Sequence, residues 1–181
     1  MKYIALLRGI NISEKNKIAM PKLKSVLGES GFKNVVTYLN SGNVIFECDA
    51  DDKGIIRQKI KEIVRKEFRL EIPILILIEI EHEDALNNRP KWWDAGDKEV
   101  YNNLIFIIPP ANYSEIYGVV GEPSENIDKI ENYKNYIFWS FDLKNYKKSN
   151  WWIKTASNGI KDKITFRTAN TIKRVLEICK K

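Results

Sequence analysis

The 181-residue chain, 44% hydrophobic and 30% charged, can bury a core in one large domain or two small subdomains, which argues against overall disorder. Its longest apolar run, Ile74-Leu75-Ile76-Leu77-Ile78 before Glu79, falls far short of the roughly 20 residues of a transmembrane helix. Met1 to Arg8 has neither a signal h-region nor a cleavage site, so a cytoplasmic protein with no membrane partner is expected.

Cys48 and Cys179 stand apart without metal-ligand spacing, which indicates neither a disulfide framework nor zinc and suggests two small buried hydrophobes. The formal charge of +6 is uneven. Residues 129 to 181 hold 13 Lys/Arg against 4 Asp/Glu, and residues 1 to 128 hold 17 against 20, so the positive excess belongs to the C-terminal part. Such a segment suits either nucleic acid or a solvated lysine face.

Tyr3 to Leu7 is continuously apolar, as in a strand central to a sheet, and Arg8-Gly9 ends it. Pro21 suits a first helical turn; Leu23, Val26 and Leu27 supply helical spacing, and Gly31 supplies the stop. Val35 to Leu39 and Val44 to Phe46 should pair as a hairpin around Asn40-Ser41-Gly42-Asn43. Asp51 or Asp52 can cap a helix with Ile55, Ile56, Ile60, Ile63, Val64 and Phe68 on one face, and Pro73 admits a strand from Ile74 to Ile80. The order β-α-β-β-α-β is that of a ferredoxin-like unit.

The second half repeats this order more loosely. A strand from Asn103 to Ile108, a short helix from Tyr113 to Tyr117, a hairpin from Ile127 to Phe141 turning at Lys134-Asn135, a helical or irregular piece around Tyr146 to Ile153 and a strand at Ile164-Thr165-Phe166 are expected. Thr168 can cap a last helix carrying Ile172, Val175, Leu176 and Cys179. The expected organisation is an α+β fold in three pieces: a ferredoxin-like subdomain over residues 1–80, a linking helix and loop over 81–102, and a second α+β subdomain with a C-terminal helix over 103–181.

In a ferredoxin-like unit the end of strand one and the hairpin between strands two and three share one edge of the sheet. Arg8, Gly9, Asn11, Lys15 and Asn16 should therefore lie near Ser41, Gly42 and Asn43. Glycines let backbone N–H groups approach a ligand, Arg presents a planar fork to a carboxylate or phosphate, and Asn adds uncharged donors and acceptors. The chemistry favours a small anionic ligand. The alternative is architectural: the glycines make turns, the asparagines hold backbone groups, and Arg8 pairs with an acid.

Ala5-Leu6-Leu7-Arg8-Gly9-Ile10-Asn11, Lys15-Asn16-Lys17, Met20, Gly31-Phe32, Val35, Thr37-Tyr38 and Ser41-Gly42-Asn43-Val44 together resemble the signature of the domain of unknown function 1697 family. Where that family carries a Gly-Gly pair this chain has Ser13-Glu14. The family's C-terminal block, similar to Thr-Thr-Arg-Asn-Trp-Asn-Thr, reads here Thr165-Phe166-Arg167-Thr168-Ala169-Asn170-Thr171. It keeps Arg167, Asn170 and Thr171, while Thr168 and Ala169 replace an Asn and a Trp. The resemblance implies paired ferredoxin-like units and carries no activity. Arg167 and Asn170, at a strand end before a helix N-terminus, form a second anion-site candidate, to be weighed against an Arg paired with a surface carboxylate.

The catalytic inventory is thin. His82 is the only histidine, it stands among Glu81, Glu83 and Asp84 at an expected helix start, and it reads as a solvated helix residue without a nucleophile motif. The acidic run lacks the spacing of a calcium loop, and no Walker A or dinucleotide fingerprint is present. No cofactor is expected and no reaction is assigned.

Trp92-Trp93 and Trp151-Trp152 are adjacent pairs in which one ring should face away from its partner. Exposed aromatics among Lys144, Lys147, Lys148, Lys154, Lys161 and Lys163 would suit single-stranded nucleic acid, although the strands lack the aromatic pattern of RNA-recognition modules. The readings therefore rank as a small-anion site, then single-stranded nucleic-acid binding, then a protein interaction module without catalysis. Oligomeric state is not legible.

Overall fold

A computed structural model of the protein describes residues 1–13, 15–157 and 159–181. The chain divides into two compact units, one formed by Met1–Glu83 with Val175–Lys181 and the other by Asp84–Arg174.

The first unit runs β1 (Lys2–Leu7), α1 (Met20–Glu29), β2 (Lys33–Tyr38), β3 (Asn43–Glu47), α2 (Lys53–Phe68), β4 (Ile74–Ile78) and the start of α3 (Glu79–Asn87). Its sheet has the order β2-β3-β1-β4. Because β3 pairs antiparallel with both β1 and β2, those two strands run the same way with β3 between them. One face supplies a core of Tyr3, Ala5, Leu7, Val44, Phe46, Ile74 and Ile76, onto which Leu23 and Leu27 of α1 and Ile56, Ile60 and Val64 of α2 pack. The i, i+4, i+8 spacing of those three α2 residues makes the buried stripe. Ile55, expected in it, is 64% exposed, because consecutive helical residues lie about 100° apart and it points away from the Ile56 stripe; the Asp52 carboxylate caps α2 by accepting from Gly54 N and Ile55 N.

Three further expectations are corrected in this unit. Strand β2 stops at Tyr38, and Leu39 is an exposed turn residue with φ +58°. Strand β4 stops at Ile78, and α3 begins at once with Glu79. This early start puts His82 one turn before Ala85 and Leu86, on the inward face, so it is 2% exposed and not solvated.

The second unit contains β5 (Val100–Ile107), α4 (Tyr113–Val120), β6 (Asp128–Tyr133), β7 (Tyr136–Asp142), a 3-10 turn (Tyr146–Lys148), α5 (Asn150–Lys154), β8 (Ile164–Thr168) and the first half of α6 (Ala169–Cys179). Its sheet order, β6-β7-β5-β8, matches that of the first unit element for element. Ile105, Ile107, Ile137, Trp139 and Ile164 meet Ile116 and Val120 of α4 and Trp151 of α5 in its core. On the opposite face Trp93 packs edge-on against Phe138, with centroids 5.1 Å apart, and donates from Nε1 to Asn103 O. Thr168 caps α6, accepting at Oγ1 from Thr171 N at 3.3 Å. No helix is long and apolar enough to cross a membrane among the described residues.

Candidate functional site

Strand β1 leaves the sheet at Leu7, whose N–H donates to Gly42 O at 2.8 Å, and Arg8 N then donates to Pro73 O at 3.0 Å. The end of β1 is thus held on one side by the β2–β3 hairpin and on the other by the entry to β4. Gly9, Asn11, Ser13 and Asn16 all have positive φ, and the loop closes on itself where Asn11 N donates to Asn16 O and Lys15 N to Ile12 O. Asn tolerates this left-handed backbone better than other non-glycine residues. Glu14 of the expected Ser13-Glu14 segment lies outside the described residues.

Asn11 is the junction. Its Nδ2 donates to Ile18 O at 3.0 Å and to Asn40 O at 2.9 Å, while its Oδ1 accepts from Ile18 N at 2.8 Å. Asn16 Nδ2 donates to Gly9 O at 2.9 Å. Asn43, fully buried, donates from Nδ2 to Tyr38 O at 2.8 Å and to Ser41 Oγ at 3.1 Å. Gly42 has φ +82°, and a Cβ there would lie 2.8 Å from both Leu7 Cβ and Ile10 Cδ1, so the hairpin can approach β1 only without a side chain at this position. The sequence-predicted residues around Asn11 and Asn43 therefore do come together, and the amides of Asn11, Asn16 and Asn43 hold backbone in place.

Next to this junction a groove of about 440 Å³ is lined by Asn11, Lys17, Ile18, Asn40 and the first residues of α1, Ala19 to Pro21. Ala19 is the N-cap of α1 and has no side chain able to satisfy the first-turn N–H groups, which are those of Met20 and Lys22 because Pro21 has none. Uncapped N–H groups and the positive end of the helix dipole favour negative charge. Lys17 is exposed beside them. The sequence signal for this spot was available: the residues just before Pro21, Ile18-Ala19-Met20, include none of the Ser, Thr, Asp or Asn that normally cap a helix.

Arg8, Gly9, Lys15, Asn16, Ser41, Gly42 and Asn43 are outside the described lining of the groove. Arg8 is half-buried, Lys15 and Ser41 are exposed. Arg167 and Asn170 belong to the other unit. Arg167 is 8% exposed, and its Nη1 donates to Thr165 Oγ1 at 2.9 Å and Phe166 O at 2.8 Å, so part of the guanidinium is engaged by its own strand. Asn170 is exposed in the first turn of α6.

The carboxylates of the acidic run in α3 have protein partners. Glu81 pairs with Lys53 at 2.7 Å, Glu83 with Lys180, and Asp84 accepts from Lys134 at 2.6 Å and from Tyr133 Oη at 3.0 Å. The Lys134 hydrogen bond, followed by that of Tyr133, holds the Asp84 carboxyl below the usual carboxylate range. Among the described residues no cluster of His, Cys, Asp or Glu is placed to hold a metal.

Two ferredoxin-like units, the first with its β1 exit and hairpin joined by asparagine amides, define the class of this protein. The chain belongs to the family described as "Protein of unknown function (DUF1697)", whose model matches residues 1–138. No curated protein matches it. It is similar in structure to conserved bacterial protein SP0830 from Streptococcus pneumoniae, with a TM-score of 0.85 and 25% identity over 98% of this chain and 97% of that one.

Proposed function

We propose that the protein binds a small phosphate- or carboxylate-bearing ligand at the edge where the β1 loop meets the β2–β3 hairpin, with the anion seated at the N-terminus of α1. The observation that carries this reading is the uncapped first turn of α1 opening into the groove that also contains Lys17 and Asn40. Backbone N–H groups and the helix dipole attract an anion without any dedicated acid–base group. The loop amides then act as scaffold: Asn11 fixes Ile18 and Asn40, and so sets the width of the groove. Arg8, which precedes the same loop, is a second cation for a ligand extending beyond the groove.

Titration with phosphate, sulfate and acetate against a chloride control tests this. Saturable amide shifts in two-dimensional NMR, centred on Lys17 to Lys22 and on Asn40, are expected, together with a melting temperature that rises with phosphate. Uniform small shifts that follow ionic strength alone would exclude the site.

A further inference from the structure

The C-terminal unit carries an aromatic surface that the anion site does not use. The Trp151-Trp152 pair divides as their adjacency requires: Trp151 is wholly buried and donates from Nε1 to Gly121 O, whereas Trp152 is 40% exposed and its neighbour Ile153 57%. Trp152 meets Phe141 with centroids 5.4 Å apart and Tyr146 at 5.1 Å, at interplanar angles of 60° and 86°. Both contacts are edge-type, with neither ring stacked parallel on the indole, and 40% of Trp152 stays open to solvent. Tyr101, also exposed, continues the row through Phe141 at 5.3 Å.

This exposure is built into the fold. The helix that holds Trp152 is capped by Ser149, whose Oγ accepts from Trp152 N at 2.8 Å and donates to the buried Asp128 carboxylate at 2.6 Å. Trp139 Nε1 donates to the same Asp128 oxygen at 3.1 Å, and Ser124 N to the other oxygen at 3.1 Å. A carboxylate with these partners fixes α5 to the sheet, so the exposed ring is presented by an anchored helix and loses little freedom on binding.

The surrounding charge is predominantly positive. Residues 143 to 163 hold six lysines and one aspartate. Lys144 is paired with Glu99, Lys163 with Glu115, and Lys154 donates to Val120 O. Lys147 and Lys148 have no acidic partner among the described residues, and Lys147 Nζ sits 5.9 Å from the Tyr146 ring centroid. A rigid aromatic platform beside uncompensated lysines matches the two requirements of a single-stranded nucleic acid, a face for a base and cations for the adjoining phosphates.

We infer that the Trp152–Tyr146 surface, flanked by Lys147 and Lys148, binds single-stranded nucleic acid by base stacking. The test is fluorescence anisotropy of a labelled single-stranded oligonucleotide of about a dozen nucleotides at low and rising salt. Wild type binds, Trp152→Ala binds about tenfold more weakly, and Trp152→Phe recovers most of the loss. In the double variant Lys147→Gln/Lys148→Gln the slope of log affinity against log salt falls by roughly 1.4, the share of two phosphates. Ala19→Asp, which fills the N-terminal groove, leaves oligonucleotide affinity unchanged, so the anion site and this surface can fail separately. The inference is overturned by absence of binding at low salt, by wild-type affinity in a folded Trp152→Ala, or by equal competition from polyglutamate or anionic vesicles.

Discussion

Asn11 Nδ2 donates to Asn40 O across 2.9 Å, joining the loop that leaves β1 to the hairpin that links β2 and β3. With two bonds between the same side chain and Ile18, this amide fixes three separate stretches of chain. Asn11→Ala removes all three hydrogen bonds and places Ala at φ +53°. A loss of about 1–3 kcal/mol of unfolding free energy is expected in urea melts, with the groove amides at Lys17 to Lys22 broadened in NMR spectra. An unchanged midpoint would mean that the loop stands without its junction.

The two signature glycines should behave differently. At Gly42 an added Cβ meets Leu7 and Ile10 at 2.8 Å and also requires φ +82°, whereas at Gly9 nothing lies within 4 Å and only the φ of +68° opposes a side chain. Gly42→Ala is expected to cost about 2–4 kcal/mol and Gly9→Ala about 1 kcal/mol. Chemical denaturation of the two variants side by side checks the order; equal losses would contradict the close approach at Gly42.

Much of this arrangement was legible in the sequence, because the signals were local. Pro21 with Leu23 and Leu27 marks α1, Asp51 or Asp52 marks the start of α2, and Asn40 to Asn43 mark the turn; the β-α-β-β-α-β order then places the β1 exit beside that turn. The misses came from contacts the local pattern does not record. Ile55 has the residue type of the α2 stripe, but it lies about 100° around the helix from Ile56, outside the Ile56-Ile60-Val64 face. The acidic neighbours of His82 suggest a solvated residue, whereas the early start of α3 turns it inward. For Asn11 and Asn43 the sequence leaves ligand binding and backbone support both open, and their partners show that their amides hold the backbone.

The phenol of Tyr117 is pushed up to about 12, first by its hydrogen bond with Glu122, then by desolvation and by the same carboxylate's charge. An unfolded tyrosine releases its proton near pH 10. Between roughly pH 10 and 12 the folded state therefore retains a proton that the unfolded state has lost, and this group's contribution to stability, fully present below pH 10, declines as pH rises. Burial also raises Tyr3 and Tyr113, so ultraviolet titration should show several late tyrosinates, of which Glu122→Gln brings the Tyr117 step to lower pH. No change in Glu122→Gln would refute the hydrogen bond as its cause.

The cysteines should differ in reactivity. Burial, followed by the charge of Glu79, pushes the Cys179 thiol up to about 11, while Cys48 is half-buried. A raised thiol carries little thiolate at neutral pH. Under native conditions a disulfide reagent should modify Cys48 first, with Cys179 following only on unfolding, as peptide mass spectrometry would register. Equal labelling rates would place Cys179 within reach of solvent.

The anion site is tested most directly by thermal denaturation of Ala19→Asp in the presence and absence of phosphate. The Ala19 backbone is already extended, φ −69° and ψ 112°, so an aspartate there can cap α1 and occupy the N–H groups assigned to the ligand. The expected result is a variant more stable than wild type by about 1 kcal/mol without phosphate and insensitive to phosphate addition. A phosphate-dependent rise in melting temperature equal to that of wild type would contradict binding at the N-terminus of α1.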